Sequence, residues 1–522
     1  MIYDTNYLFL VLVATAYHED EIVRFLLLKG ANVHVTDNDG WTPIWTAGRD
    51  GRTELVKMFA DAGANVNDQC GESKFTVLHT SASYPETIRV LLENGADINI
   101  VSEGFGTAFV HAIESNHSET LKLMLEMSEK PDLTLESTQQ AVRNAVAWGY
   151  SEVVSLLLEA GVDVNIVDDE NMSILSYAMT LNSSDTVRAI LEYRPDLTLR
   201  DVNDDTALHH IGNETPVASV RLVVNAGGRL DVFDNSKHTP LIKAIWYTNQ
   251  EVFEYLLKKE VGPATLSVVS FESAGTPLHH ACGWGTTDMV RSLLDHGSDI
   301  NLVCSGVFGT PLLSATLNST DEQRENIILL LLEKGADPNI RGGILCYPII
   351  SASMTCQASL IRLLLDRKVT TNVEDTYSRK PVHLASYNSL EALELLDVPD
   401  SDFAARDLTG RVPLHYAVLS GQVDLVDKVL TRSKSAGIDI DVRDSDGWTP
   451  LLWAARSIPS WRWAQDLPPG HDDVVSFLLD KKANTKAFGR VLDKEWNAID
   501  IARYHSAYRY EKSGVTCLSL PP

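Results

Sequence analysis

Apolar positions along the chain fall into short paired blocks separated by polar, glycine-bearing breaks. In Gly40–Asn67, GWTPIWTAGRDGRTELVKMFADAGANVN, one block follows Thr42-Pro43 and a second runs Leu55-Val56-Lys57-Met58-Phe59. The second places apolar residues at i, i+1 and i+4, the spacing of one helical face. Thr42-Pro43 and Thr276-Pro277 mark helix starts: the hydroxyl accepts from an orphaned amide, and proline costs nothing at the first helical position. Gly51 and Gly285 end the first helix, and Gly63 closes the second. The run G-[AV]-D-[VIP]-N in Gly95–Asn99, Gly161–Asn165 and Gly335–Asn339 then leads to turns such as Asp37-Asn38-Asp39-Gly40. Each block pair therefore predicts a short inner helix, a tight reversal, an outer helix and an exposed fingertip.

The phrase returns as GWTPLLWAARS from Gly447, and anchors from Phe9 through Thr42, Thr107, Gln140, Ser173, Thr276 and Lys380 to Asn497 give about fifteen units spaced near 33 residues. The first and last units are degenerate. A single unit cannot bury its own apolar face, so stability has to come from stacking neighbours.

With T-P-L-H-x-A and G-A-D-V-N phrases over nearly its whole length, the chain resembles ankyrin-repeat proteins. Asp407–Ala417, DLTGRVPLHYA, and Asp446–Arg456, DGWTPLLWAAR, resemble members from filamentous fungi. The resemblance implies an all-α repeat solenoid of about 15 stacked helix pairs, with hairpin-like fingertips and a concave groove used mostly for protein recognition. The array is expected over residues 1–512, with an insertion at 458–471 in the penultimate unit and a loose tail at 513–522.

Two places break the pattern. The insertion, IPSWRWAQDLPPGH, cannot continue a helix through its prolines, and Trp461 and Trp463 are costly to leave in water without a purpose. They either bind something or fold back as a local lid. At the other end, Leu8–Val13 is too apolar for a polar cap. Either Met1–Asn6 and the loop His18-Glu19-Asp20-Glu21 cover that edge, or a partner or a second chain does.

Charge narrows the partners. With 44 Lys+Arg against 71 Asp+Glu the net charge is −27, which repels polyanions and disfavours direct nucleic-acid binding. The six cysteines include no C-x-x-C pair, which suits reduced thiols inside the cell, in cytoplasm, nucleus or both. Tyr7–Tyr17 is too short to span a bilayer and follows an acidic residue, so no membrane association is expected.

Candidate chemistry is sparse. His209-His210, and His279-His280 with Cys282, carry zinc-ligand residue types. Yet His209 and His279 stand fourth in T-P-L-H, where the resemblance implies a histidine bonded to neighbouring turn backbone. Cys346 and Cys356 have no partner at ligand spacing, so no metal and no cofactor are expected. A nucleophile elbow, P-loop, dinucleotide fingerprint and zinc-protease helix are all absent, and Gly104-Phe105-Gly106 and Arg341-Gly342-Gly343 read as fingertips. The chain is not expected to be an enzyme.

The informative positions lie seven and eight residues after each anchor, where the resemblance places the groove. Trp148, Trp246, Tyr247, Trp284 and Tyr387 occupy them, and aromatic side chains dominate binding hot spots. Stacked helices would set Trp246 and Trp284 about 10 Å apart. The leading expectation is an intracellular, non-enzymatic scaffold or adaptor for one or more proteins, acting on transcription only through a DNA-binding partner. The alternative is a small-molecule-binding or enzymatic accessory of a fungal biosynthetic pathway, with the same aromatics as pocket walls.

Overall fold

The computed structural model describes residues 5–127, 130–260, 266, 275–317, 322–355, 357–455, 471–491, 494–497 and 500–501, and side chains within these except 5–9, 260, 322, 471–472, 491 and 494. The chain divides into two compact units, 1–259 and 260–522. In the first, α1 (Thr5–Ala16) pairs with α2 (Asp20–Leu28), and α3 (Pro43–Arg49) with α4 (Thr53–Asp61). The pairing continues through Ala108–Glu114 with Ser118–Glu126 to Pro240–Trp246 with Gln250–Glu260. The second unit repeats it from Pro277–Trp284 with Thr287–Asp295 to Pro450–Ala455 with His471–Asp480.

Inner helices start as their sequence dictates. Thr42 is extended, and its hydroxyl accepts from the Trp45 amide at 3.3 Å; Ser173 does the same for Ser176 at 3.1 Å. Where a histidine stands three residues after the anchor, its ring takes up the anchor amide. His79 Nδ1 accepts from the Thr76 amide at 3.2 Å, which leaves the proton on Nε2 to be donated to the Gly106 carbonyl one repeat later, at 3.2 Å. His279 repeats this toward Gly309 at 3.1 Å, His383 toward Ala405 at 3.1 Å and His415 toward Trp448 at 3.1 Å. Each such ring staples neighbouring fingertips.

Gly51 turns α3 into α4 at φ 67°, and a Cβ there would stand 2.4 Å from the Tyr84 ring. Tyr84 therefore packs on the preceding repeat. Fingertips are mostly turns, with two short antiparallel ladders: β1 (Val101–Ser102) pairs with β2 (Gly106–Thr107), Val101 opposite Thr107, and β3 (Phe488–Val491) with β4 (Lys494–Asn497), Phe488 opposite Asn497. The core lies between helix pairs, where Phe59, Phe109, Phe253 and Phe403 are fully buried.

Two anchors shift, and one unit changes its helix. Phe9 and Gln140 are not helix starts: α1 begins at Thr5, and the helix holding Gln140 begins at Glu136. There is no T-P at Gln140, and Arg143 joins Glu136 at 3.0 Å to Gln140 Oε1 at 2.6 Å, so the extra turn is held by side chains. In the Thr206 unit the inner helix shrinks to a 3₁₀ turn, Ala207–His209. There Asn249 instead caps the Gly212 and Thr215 carbonyls, each at 2.9 Å. Asn497, the last residue of β4, accepts from the Asp500 amide at 3.0 Å. Trp461, Trp463 and the tail lie outside the described residues.

Candidate interaction face

The five aromatic positions fall at the C-terminal ends of inner helices. Trp148 follows Ala147 as the helix cap, Trp246 ends Pro240–Trp246 with Tyr247 as its cap, Trp284 ends Pro277–Trp284, and Tyr387 lies in the last turn of Pro381–Asn388. All five are exposed, from 39% for Trp284 to 52% for Trp148. They are held differently. The Trp148 ring lies 5.6 Å from Tyr150, and Trp246 lies 4.3 Å from His238. Trp284 meets Phe308 edge-on at 5.4 Å and His280 at 5.8 Å. Trp148, Trp246 and Tyr247 belong to the first unit, Trp284 and Tyr387 to the second. The five aromatics occupy four repeats, Trp246 and Tyr247 sharing one, so they make a series and not a cluster.

A carboxylate device that sequence reasoning missed recurs in five units, of which the Lys243 unit also carries Trp246 and Tyr247. A fingertip aspartate holds its own turn through Oδ1 and the inner helix through Oδ2. Asp407 Oδ1 accepts from the Thr409 and Arg411 amides at 2.8 and 2.9 Å, while Oδ2 accepts the Tyr416 hydroxyl at 2.6 Å. Asp168 does the same with Tyr177 at 2.6 Å, and Asp444 takes the Trp453 indole N–H at 2.9 Å. Asp234 takes Lys243 at 2.9 Å, and Asp201 lies 3.1 Å from His210. In every case the helix residue follows the aspartate by nine, a spacing visible in the sequence. The bond to Asp168 and then burial push the Tyr177 hydroxyl up to about 12.

Around Trp246 this device becomes an ionic network. Burial works against the Lys243 charge, yet Asp234 and Asp205, at 2.9 and 3.3 Å, hold its pKa above the ordinary lysine value. Burial keeps His209, His210 and His238 below the usual imidazole range. Ligand atoms of Asp201, Asp205 and His210 come within 4.8 Å of one another. Lys243 already supplies the positive charge beside Asp205 that a cation would supply. His209 is committed elsewhere: Nδ1 faces the Thr206 amide at 3.0 Å and Nε2 the His238 carbonyl at 3.2 Å. His279 is engaged in the same way, and burial raises the Cys282 thiol far above its normal pKa, which opposes the thiolate a metal needs.

A cavity of about 460 Å³ lies away from the aromatics, between the outer helices Ser118–Glu126 and Ser151–Glu159, with Lys122, Leu125, Leu156 and Glu159 in its wall. Among the described residues no helix is long and apolar enough to cross a membrane.

Comparison with known proteins fits this architecture. The family model for ankyrin repeats (3 copies) matches residues 10–102, 109–201, 175–267, 266–342 and 394–488. The chain belongs to the ankyrin-repeat family. Ankyrin repeats indicate a protein-interaction scaffold, generally without catalysis of its own. An ankyrin repeat domain-containing protein, SAT10, of Stachybotrys chartarum is 27% identical over 162 residues, 29% of this chain and 7% of that protein. Human BCL-6 corepressor-like protein 1 is 36% identical over 130 residues, 24% of this chain and 7% of that protein. The mouse B-cell lymphoma 3 protein homolog is 26% identical over 261 residues, 49% of each chain. The chain thus spans half or less of the length of these relatives.

Proposed function

We propose that this ankyrin array is a non-enzymatic intracellular scaffold whose protein partner lies along the exposed inner-helix ends. One observation carries the reading. On a fold that buries most of its large apolar side chains, Trp148, Trp246, Tyr247, Trp284 and Tyr387 recur at the C-terminal ends of inner helices and remain 39–52% exposed. Large, stiff side chains of this kind bury much area at low entropic cost. Beside Trp246 and Tyr247 the bond from Asp234 to Lys243 fixes the inner helix to its fingertip before a partner arrives. The buried, uncharged-range thiols of Cys70, Cys282 and Cys304 and the free Cys346 suit a reducing compartment, cytoplasm or nucleus.

A role as transcriptional co-regulator is the finer reading. It is supported by similarity to a relative named for corepression and by a net charge that leaves DNA contact to the partner. The cavity between outer helices is not walled by the aromatics, which weighs against the small-molecule or accessory-enzyme alternative.

The test is differential capture. Wild-type chain and a Trp148→Ala, Tyr247→Ala double variant are used as baits, and bound proteins are quantified by mass spectrometry. A partner depleted from the variant, at an unchanged melting midpoint, supports the reading; identical captured sets refute it.

A further inference from the structure

Two exposed aromatics of the first unit each have a carboxylate at the matching place one repeat earlier. Trp148 caps the helix Glu136–Ala147, and Glu114 ends the preceding inner helix, Ala108–Glu114. The side-chain amide of Asn144, one helical turn before Trp148, donates to Glu114 Oε1 at 3.3 Å and so holds the carboxylate toward the Trp148 side. Glu214 stands in the same relation to Tyr247. It lies between Gly212 and Thr215, whose carbonyls both accept from Asn249, two residues past Tyr247. Neither glutamate makes an ion pair among the described residues. Elsewhere a ring and a carboxylate bracket a guanidinium of the chain itself. Arg49 lies 5.6 Å from the Trp45 ring centre and 2.9 Å from Asp50. Arg379 lies 4.9 Å over Tyr377 and 2.7 Å from Asp375, and Arg411 4.3 Å over Trp453 and 3.8 Å from Asp444. At Trp148 and Tyr247 the ring and the carboxylate are both present, and no cation among the described residues lies over either ring.

We propose that the partner of the aromatic face, whose existence this inference assumes, meets the first unit with a basic segment: one lysine or arginine over Trp148 toward Glu114, another over Tyr247 toward Glu214. A cation over an indole or phenol face is held by the ring's quadrupole, and the carboxylate beside it supplies the counter-charge that its desolvation requires. The two places are three repeats apart, about 30 Å at the spacing of packed helices, which an extended segment of about nine residues spans. Fingertips of the same unit favour the same sign. Asp39, Glu72, Glu103, Asp169 and Glu170 are exposed there and make no ion pair among the described residues, against the exposed cation of Lys74. With −27 on the chain, long-range attraction draws a basic segment in, and salt weakens that attraction. An acidic segment would meet repulsion at each of these groups.

The probe is a fluorescent peptide of about twelve residues with an arginine pair at each end of a Gly/Ser spacer, titrated by anisotropy against the full chain. Its control carries citrulline for arginine, which keeps the shape and removes the charge. The arginine peptide should bind, and the citrulline peptide about tenfold more weakly or less. Glu114→Gln with Glu214→Gln should weaken the arginine peptide about tenfold, and Trp148→Ala with Tyr247→Ala about as much, at an unchanged helical signal. Glu119→Gln with Glu152→Gln removes the same charge from exposed positions on outer helices and should cost less than about twofold. No binding up to about 1 mM, or equal binding of the two peptides, overturns the proposal. Equal losses from the two glutamate pairs also overturn it, because binding would then follow net charge alone. Differential capture separates this outcome from failure of the face itself. A partner lost with Trp148→Ala, Tyr247→Ala yet fully retained with Glu114→Gln, Glu214→Gln keeps the face and sinks the basic segment, whereas captured sets unchanged by the aromatic variant sink both.

Discussion

Tyr416 gives its hydroxyl proton to Asp407 Oδ2 at 2.6 Å, and Asp407 uses its other oxygen to hold the turn Thr409–Arg411. Fingertip and inner helix are thereby locked inside one repeat, while the histidines lock one repeat to the next. Tyr416→Phe strips a charged, buried acceptor of its partner and should cost about 1–2 kcal/mol. Tyr177→Phe should cost less, because Asp168 is more accessible to water. Urea denaturation of the two variants, with equal losses or none, would count against the device.

Acid should destabilise the array before its carboxylates titrate. Burial holds His79, His279 and His383 at about 4, against an ordinary value of 6.5. The folded chain therefore binds fewer protons than the unfolded chain between those values, and stability rises with pH there. What these rings contribute is present above pH 6.5 and lost as pH falls toward 4, on the order of 3 kcal/mol for each. Melting midpoints measured across that window should decline on acidification; a flat profile would show that the rings are protonated in the fold.

Much of this was legible in the sequence, for reasons that differ by element. Thr42-Pro43 and Thr276-Pro277 named true helix starts because capping is local chemistry. Gln140 was misplaced because spacing alone put an anchor there, and the Glu136–Arg143 pair that lengthens the helix is a side-chain contact across two turns. The Thr206 unit matched the phrase well yet formed only a 3₁₀ turn, since the caps that replace its helix come from Asn249, a full repeat away. The exposure of Trp148 and Trp246 followed from their place in the period. That Trp246 would rest on His238 above a Lys243–Asp234 pair depends on a fold-level juxtaposition no pattern encodes.

Repeat stacking predicts how a lesion spreads. Leu157 is fully buried on the outer helix Ser151–Glu159. Leu157→Asp buries a charge at a helix seam and should cost about 3–5 kcal/mol. Because neighbours supply each other's core, hydrogen exchange should accelerate across adjoining repeats as well as its own. Acceleration confined to Ser151–Glu159 would contradict that coupling.

The net charge of −27 bears on partners directly. Random duplex DNA at physiological salt should show no binding below about micromolar, since few cations are available to release counterions. A filter assay with submicromolar retention would overturn this and with it the view that DNA is reached only through another protein.

The aromatic ends separate binding from folding, and the structure sharpens which variants do so. Tyr247 and Trp148 are at least half exposed, so Tyr247→Ala and Trp148→Ala should leave the melting midpoint nearly unchanged. Trp284 also makes an edge-on contact with Phe308, so Trp284→Ala should lose about 0.5–1.5 kcal/mol of stability from that pair. Trp246→Ala should behave similarly through its contact with His238. All four should weaken a partner that lies along their unit by about 2 kcal/mol or more, because a hot spot acts in the complex and hardly in the free chain. The decisive comparison is the ratio of the two losses for each variant, from thermal melts and from titration of the captured partner. If stability falls by about 3–5 kcal/mol, as for truncation of a core aromatic, while binding is unaffected, the rings serve packing and the proposed face is not one.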